Sequence, residues 1–235
     1  MYNLKPELWK EEFASGKVLL IDKPLQWTSF DAVKKIRTQI GIPKVGHAGT
    51  LDPLATGLLI ICTGKFTKNI NEYMAAEKEY TGTITLGATT PTYDLETDPI
   101  PVGPYDHFTM EQLIAATVPF TGEISQVPPA HSAIKKGGTP SYILARKGIE
   151  VKMEPRKITI SVFEITKVEL PLVHFRVVCT TGTYIRSLAF DYGNELGCGA
   201  HLSSLRRTRI GTFSVDDAES ITSFTEKIQL LKQYK

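Results

Sequence analysis

Gly46-His47-Ala48-Gly49-Thr50-Leu51-Asp52-Pro53-Leu54-Ala55-Thr56-Gly57 sets a single carboxylate among small, turn-forming and apolar residues. The glycines and Pro53 describe a loop whose backbone is shaped closely around the Asp52 side chain, while Leu51, Leu54 and Leu58 bury its surroundings. An isolated Asp-Pro pair would be read as a turn whose carboxylate accepts backbone hydrogen bonds. Twelve residues of such restricted composition ask for more than a turn, and Asp52 becomes the first candidate for chemistry.

Outward from this loop the pattern alternates between strands and helices. Val18-Leu19-Leu20-Ile21 reads as a buried strand running into Lys23-Pro24. Thr28 and Asp31 form a capping-box pattern, and Phe30, Val33, Ile36 and Ile40 recur at near-helical spacing until Gly41 and Pro43 stop the helix. Beyond the loop come a strand at Leu58–Cys62, a short helix around Phe66–Met74, and a strand at Glu79–Leu86 with Tyr80 near its start. Gly87–Gly103 lacks periodicity and reads as turns. A helix follows, capped by Thr109 and Gln112 and ended by Pro119. Gln126–Pro140, with adjacent prolines, glycines and lysines, is poor core material and reads as a mobile basic arm, after which Ser141 caps a short helix, Tyr142–Lys147.

Lys157–Glu169 and Leu172–Thr180 alternate in Ile and Val and predict adjacent antiparallel strands at the centre of a sheet. Thr183 is expected to cap a helix with Ile185, Leu188, Ala189, Tyr192 and Leu196 on one face, Gly197 as its stop, and Arg186 in its first turn. Gly199–Phe213 reads as extended chain. A polar cap and a short helix close the sequence from Asp216.

With 235 residues, 42% apolar and 22% charged, the chain can build one sizeable core, and disorder is excluded. No run approaches the roughly 20 apolar residues needed to span a bilayer. Lys5, Glu7, Lys10 and Glu11 stand where a signal peptide needs an apolar core, so a cytoplasmic protein is expected. Cys62, Cys179 and Cys198 are widely spaced without a CxxC pair, which suggests buried thiols and neither a disulfide framework nor a metal site. The net charge of +2 hides a segregation: Gly87–Gly122 carries five acids and no Lys or Arg, whereas Glu123–Lys157 carries seven bases against three acids. Together with Lys34, Lys35 and Arg37 and with Arg206, Arg207 and Arg209, this makes polyanion-binding surfaces a reasonable expectation.

Outside the arm, chemistry is concentrated in Asp52, Tyr80 and Thr181-Gly182-Thr183-Tyr184-Ile185-Arg186. An Arg in a first helical turn is disfavoured by the helix dipole, and a neutralising carboxylate would relieve that cost; Asp52 is the candidate. These positions carry a family resemblance. GHAGTLDPLATGLL resembles the signature loop of the bacterial TruB-type tRNA pseudouridine synthases. Lys78-Glu79-Tyr80, the run Leu86–Asp94, the arm Gln126–Lys135, Gly182–Ala189 and Gly199–Gly211 look like successive further blocks, in the family's order, covering about residues 17–215.

The resemblance implies an α+β pseudouridine synthase fold: a large mixed, mostly antiparallel sheet flanked by helices, in a single catalytic domain. A thumb-like RNA-binding arm is implied at 124–155, with residues 216–235 as a helical tail. It implies isomerisation of uridine 55 in the tRNA T-loop to pseudouridine, without cofactor or metal. On it, Asp52 acts at ribose C1′, Arg186 keeps Asp52 charged, and Tyr80 stacks on the flipped uracil and serves as general base. Tyr184 and Leu205 line the pocket, and His47 enters the T-loop. Lys23, Lys68, Lys135, Arg146, Arg206 and Arg207 are the phosphate candidates. The expected partner is tRNA alone, bound by a monomer.

Four positions depart from the family pattern. Gln26 stands where a glycine is usual, Thr181 where a Lys is common, and Thr139-Pro140 replaces a basic pair. The chain stops about 20 residues beyond the last block, so the C-terminal RNA-binding domain of many relatives is expected to be missing. Two other readings stay open on sequence: a catalytically silent tRNA-binding or folding module, and an RNA-guided synthase.

Overall fold

The computed structural model describes residues 8–233. From its start the chain forms α1 (Trp9–Ser15), β1 (Val18–Lys23), α2 (Ser29–Ile40), β2 (Val45–Ala48), β3 (Ala55–Thr63), α3 (Ile70–Ala75) and β4 (Lys78–Leu86). The short pair β5 (Ala88–Thr89) and β6 (Ile100–Pro101) follows, then α4 (Met110–Ala115), β7 (Gly122–Gln126), the short pair β8 (Lys135–Lys136) and β9 (Thr139–Pro140), and α5 (Ser141–Arg146). The long strands β10 (Arg156–Glu169) and β11 (Leu172–Cys179) lead to α6 (Ile185–Glu195), β12 (Ala200–Ile210), β13 (Phe213–Ser214), β14 (Glu219–Ser220) and α7 (Ile221–Leu231). Ten strands join the main sheet, mostly antiparallel, with β5–β6 and β8–β9 as separate pairs. The expected α+β class is therefore observed. Two compact units divide the chain, one up to Tyr80 and again from Arg206, the other Thr81–Leu205.

In the first unit β3 pairs antiparallel with β1 (Val18 opposite Cys62, Lys23 opposite Gly57) and, through its second half, with β2. Every residue of β3 except Thr56 is buried, because both faces are covered. Its alternation of side chains sends Leu59 and Ile61 into a cluster with Leu19, Ile21, α2 and α7. Leu58, Ile60 and Cys62 point into another cluster with Ala48, Ile210 and Val215.

Helix α2 starts where the sequence places it. Thr28 accepts from the Asp31 N–H at 3.0 Å while Asp31 accepts from the Thr28 N–H at 2.9 Å, and Gly41 ends the helix in the left-handed conformation. The buried face is Ser29, Ala32, Val33, Ile36 and Ile40; Phe30, expected on it, is 61% exposed. A further correction concerns the C-terminus. The short helix expected there forms as α7, but it is core and no appendage: its Phe224 and Ile228 are fully buried in the same cluster as α2, and Phe13 of α1 joins them. The core of this unit therefore extends beyond the 17–215 range in both directions.

In the second unit β10 pairs antiparallel with β11 on one edge and with β7 on the other. Helix α6 buries Ile185, Leu188, Ala189 and Tyr192; the Tyr192 ring lies 5.5 Å from that of Phe163, and its hydroxyl donates to Leu113 O at 2.8 Å. The expected Thr109 cap forms, with Gln112 completing its box, whereas those expected of Thr183 and Ser141 do not. Thr183 donates instead to Thr180 O, and Ser141 lies inside α5, donating from the interior to Ser132 O.

Candidate active site

The Gly46–Gly57 stretch is mostly hairpin: β2 ends at Ala48, β3 begins at Ala55, and only residues 49–54 form the connection that carries Asp52. Long-range tethers fix that connection. Arg207 donates from Nε to Leu58 O at 2.7 Å and from Nη2 to Gly49 O at 3.1 Å. Ser29 Oγ, buried at the start of α2, accepts the Leu51 N–H at 2.8 Å and donates to Leu51 O at 3.1 Å. The Ala55 N–H closes a turn onto Asp52 O, and the Gln26 N–H reaches Pro53 O at 2.8 Å. Both neighbours of Asp52 are thus held by groups far away in sequence, which is how a loop residue acquires a fixed orientation.

Gly57 shows how closely the frame is drawn. Its φ is +102°, and a Cβ there would meet Arg207 O at 2.3 Å. Gln26 occupies the left-handed region at φ +66°, which explains why a glycine suits this position and places the departure in a turn that holds the loop carrying Asp52.

Asp52 itself is half-buried. Its charge acts on a cation that the sequence reading placed elsewhere. Lys23 has no exposed surface; its Nζ donates to Pro24 O at 3.0 Å and Trp27 O at 2.6 Å. Burial lowers its pKa to about 8, and the charge of Asp52 acts against that fall. A buried ammonium that spends its protons on backbone carbonyls is no phosphate contact. Arg207, 1% exposed, is corrected for the same reason. Arg206 is half-exposed but engaged in a two-pronged pair with Asp22, at 3.0 and 2.7 Å. Lys68 lies at the end of a 3-10 turn.

His47 lies on β2, half-buried. Burial, and secondarily the charge of Arg207, depress its pKa, so the ring is neutral near pH 7. Tyr80 is 8% exposed at the start of β4. Lys78, two residues before it, is buried and donates to Met74 O and Ala76 O at the end of α3, fixing where that strand begins.

In the second unit Arg186 is buried in the first turn of α6, as expected, and a carboxylate does accompany it there: Asp94, itself buried, at 3.5 Å from Nε. Asp52 belongs to the other unit, and Asp94 is a partner the sequence reading missed. It ends the Leu86–Asp94 block, yet nothing local distinguishes it from the neighbouring Glu96 and Asp98. Arg186 also donates to Thr92 O at 3.1 Å and His131 O at 3.0 Å. Tyr184 sits half-buried just before α6, and Leu205 half-buried on β12. On the arm, Lys135 is exposed in β8; the Arg146 side chain is 65% exposed, 3.6 Å from Glu96 and over the Tyr142 ring.

Residues 37–185 match the model of the TruB family pseudouridylate synthase N-terminal domain, and residues 186–234 that of the tRNA pseudouridylate synthase B C-terminal domain. The chain belongs to the TruB family of pseudouridylate synthases. Among its TruB relatives, a tRNA pseudouridine synthase B of Flavobacterium johnsoniae is 56% identical over 93% of this chain and 99% of its own length. Another of that name from Phocaeicola vulgatus is 50% identical, covering 91% and 94% respectively. A chain in the crystal structure of a Cbf5-Nop10-Gar1 complex aligns with a TM-score of 0.75 at 30% identity, over 99% of this chain but 60% of that one. The TruB C-terminal match covers α6, β12, β13, β14 and α7, the elements that carry Arg186, Leu205, Arg206 and Arg207.

Proposed function

We propose that this protein isomerises a uridine of tRNA, uridine 55 of the T-loop, to pseudouridine. The observation that carries the reading is the clamped Asp52: a carboxylate whose two chain neighbours are fixed by Ser29 and Gln26 and whose charge acts on a buried cation, in a chain of TruB sequence. The reaction breaks the ribose C1′ to N1 bond, forms a C1′ to C5 bond, and moves a proton from C5 to solvent as N1 takes one up. It needs a preoriented ionised carboxylate at C1′, as nucleophile or as stabiliser of positive charge developing there.

Asp52 fills that role and Arg186 supports its charge. Tyr80 stacks on the uracil and removes the C5 proton, with Tyr184 and Leu205 as pocket walls. The target base must leave its stack, at a cost of a few kcal/mol, and His47 enters the vacated T-loop. Lys68, Lys135 and Arg146 remain phosphate contacts. No role needs a second subunit, so the protein works as a monomer, in the cytoplasm.

The test is conversion of an unmodified T-arm stem-loop by the purified protein, read as tritium released from 5-tritiated uridine. Asp52→Asn should abolish release while RNA binding persists. Wild-type protein that binds and never releases tritium is the silent module instead. An RNA-guided role is disfavoured, because relatives matching nearly end to end carry the tRNA synthase name, whereas the Cbf5 chain is matched over 60% of its length.

A further inference from the structure

Gln126 is the last residue of β7 and stands at the root of the arm, 2% exposed. Its carboxamide is turned away from solvent. Oε1 accepts the Tyr184 N–H at 2.8 Å while Nε2 donates to Tyr184 O at 3.0 Å. The amide thereby imitates a strand neighbour, satisfying both backbone groups of the residue that precedes α6. That matters because Tyr184 is the N-cap of α6 and makes no side-chain cap bond of its own, so the helix start depends on something outside it.

Two more links run between the same segments. Ser187 Oγ donates to Val127 O at 2.9 Å, and Arg186 Nη2 donates to His131 O at 3.0 Å. Residues 126, 127 and 131 of the arm root are therefore joined to 184, 187 and 186 of the helix start. Beyond the root the arm closes on itself, with Ser141 bonded to Ser132.

We infer that Gln126 is a positioning residue for the isomerisation: its paired bonds to Tyr184 set the first turn of α6 and so the direction from which Arg186 and Tyr184 meet the reacting nucleotide. The inference rests on the proposed roles of those two residues. Gln126 touches no substrate atom; it acts through the helix start, and it links the segment that grips RNA to the one that carries the arginine. A guanidinium held by a displaced turn still carries its charge but presents it from the wrong angle, and small misplacements near a reacting centre cost on the order of tenfold to a hundredfold in rate.

Single-turnover tritium release and RNA binding, measured side by side on the full chain, test this. Gln126→Leu keeps the buried volume and loses both bonds. Gln126→Glu keeps the acceptor for the Tyr184 N–H and loses the donor. The expected order of rate constants is wild type, then Glu, then Leu, with Leu slower by on the order of tenfold or more, while the dissociation constant for the stem-loop stays within about twofold of wild type. Tyr192→Phe, which removes the hydroxyl bond to Leu113 O on the buried side of the same helix, is the stability control. It should lower the melting temperature and leave the rate alone.

If Gln126→Leu reacts at the wild-type rate, or slows only as much as Tyr192→Phe for equal thermal destabilisation, Gln126 is structural and the inference falls. Arg186→Lys separates this from failure of the underlying reading. Full activity in Arg186→Lys removes Arg186 from the site, and the inference with it; an inactive Arg186→Lys beside a fast Gln126→Leu overturns the inference alone.

Discussion

Replacing Lys23 with Met separates two effects that its burial has joined. The ammonium has no exposed surface, bonds to Pro24 O and Trp27 O, and feels the charge of Asp52. Desolvation takes its pKa from 10.5 to about 8. At about 1.4 kcal/mol per unit, the fold disfavours the charged form by at most about 3.5 kcal/mol. Met fills similar space and removes that cost, but leaves two carbonyls without their donor, a loss of about 1–3 kcal/mol. The terms nearly cancel, so the melting temperature should move by no more than about 5 °C at roughly 2–4 °C per kcal/mol. Activity should not be spared, because Asp52 loses a preoriented positive charge, and comparable losses cost on the order of a hundredfold.

The pH dependence follows with opposite signs for stability and rate. Since the folded pKa of Lys23 lies below its unfolded value, the unfolded chain holds more protons between about pH 8 and 10.5, and the Lys23 contribution makes the fold more stable as pH rises through that window. The rate declines over the same rise as the charge beside Asp52 disappears. Thermal melts and single-turnover tritium release across this range measure both. A Lys23→Met protein that reacts at the wild-type rate near about pH 7, or a wild-type rate that shows no step near about pH 8, would refute the electrostatic role.

Other parts of the structure can be tested similarly. Gly57→Ala places a Cβ 2.3 Å from Arg207 O at a φ of +102°, and should cost at least about 3 kcal/mol, read as a lower urea midpoint. Gln26→Gly relieves a left-handed backbone at φ +66° and should raise stability by up to about 1 kcal/mol; a lowered melting temperature would mean that the Gln26 side chain itself holds the turn. Asp94→Asn removes the buried carboxylate beside Arg186 and should cost up to about 3–5 kcal/mol by denaturant unfolding, with activity lost alongside.

What the sequence disclosed was what depends on neighbours along the chain. Both capping boxes, Thr28 with Asp31 and Thr109 with Gln112, form as read, because a side chain reaches only three residues. β10 and β11 are legible from their alternation. Phe30 fits the helical spacing and is exposed, because Ser29 takes the inward position and is held there by Leu51, a contact 22 residues away. Lys23 and Arg207 look like surface cations in the sequence; their burial depends on carbonyls that only the folded chain supplies, such as Leu58 O, 149 residues from Arg207. Arg186 falls in its expected helical turn, yet its partner in that unit, Asp94, is one of five acids in a segment whose charge pattern gives no reason to prefer it. Gln126 opens the Gln126–Lys135 block in the sequence, but it reads there as the start of a mobile arm, because the Tyr184 backbone it serves lies 58 residues away.

Tritium release by Asp52→Asn, beside its binding of the same 5-tritiated T-arm stem-loop, is the most direct test that the clamped carboxylate does the chemistry. The Ser29 and Gln26 tethers act on the backbone of the two neighbouring residues and survive this substitution, so the loop should keep its shape and RNA should bind as in the wild type. No tritium should be released in excess of background. Release at or near the wild-type rate would contradict the assignment of Asp52, whatever the rest of the fold resembles.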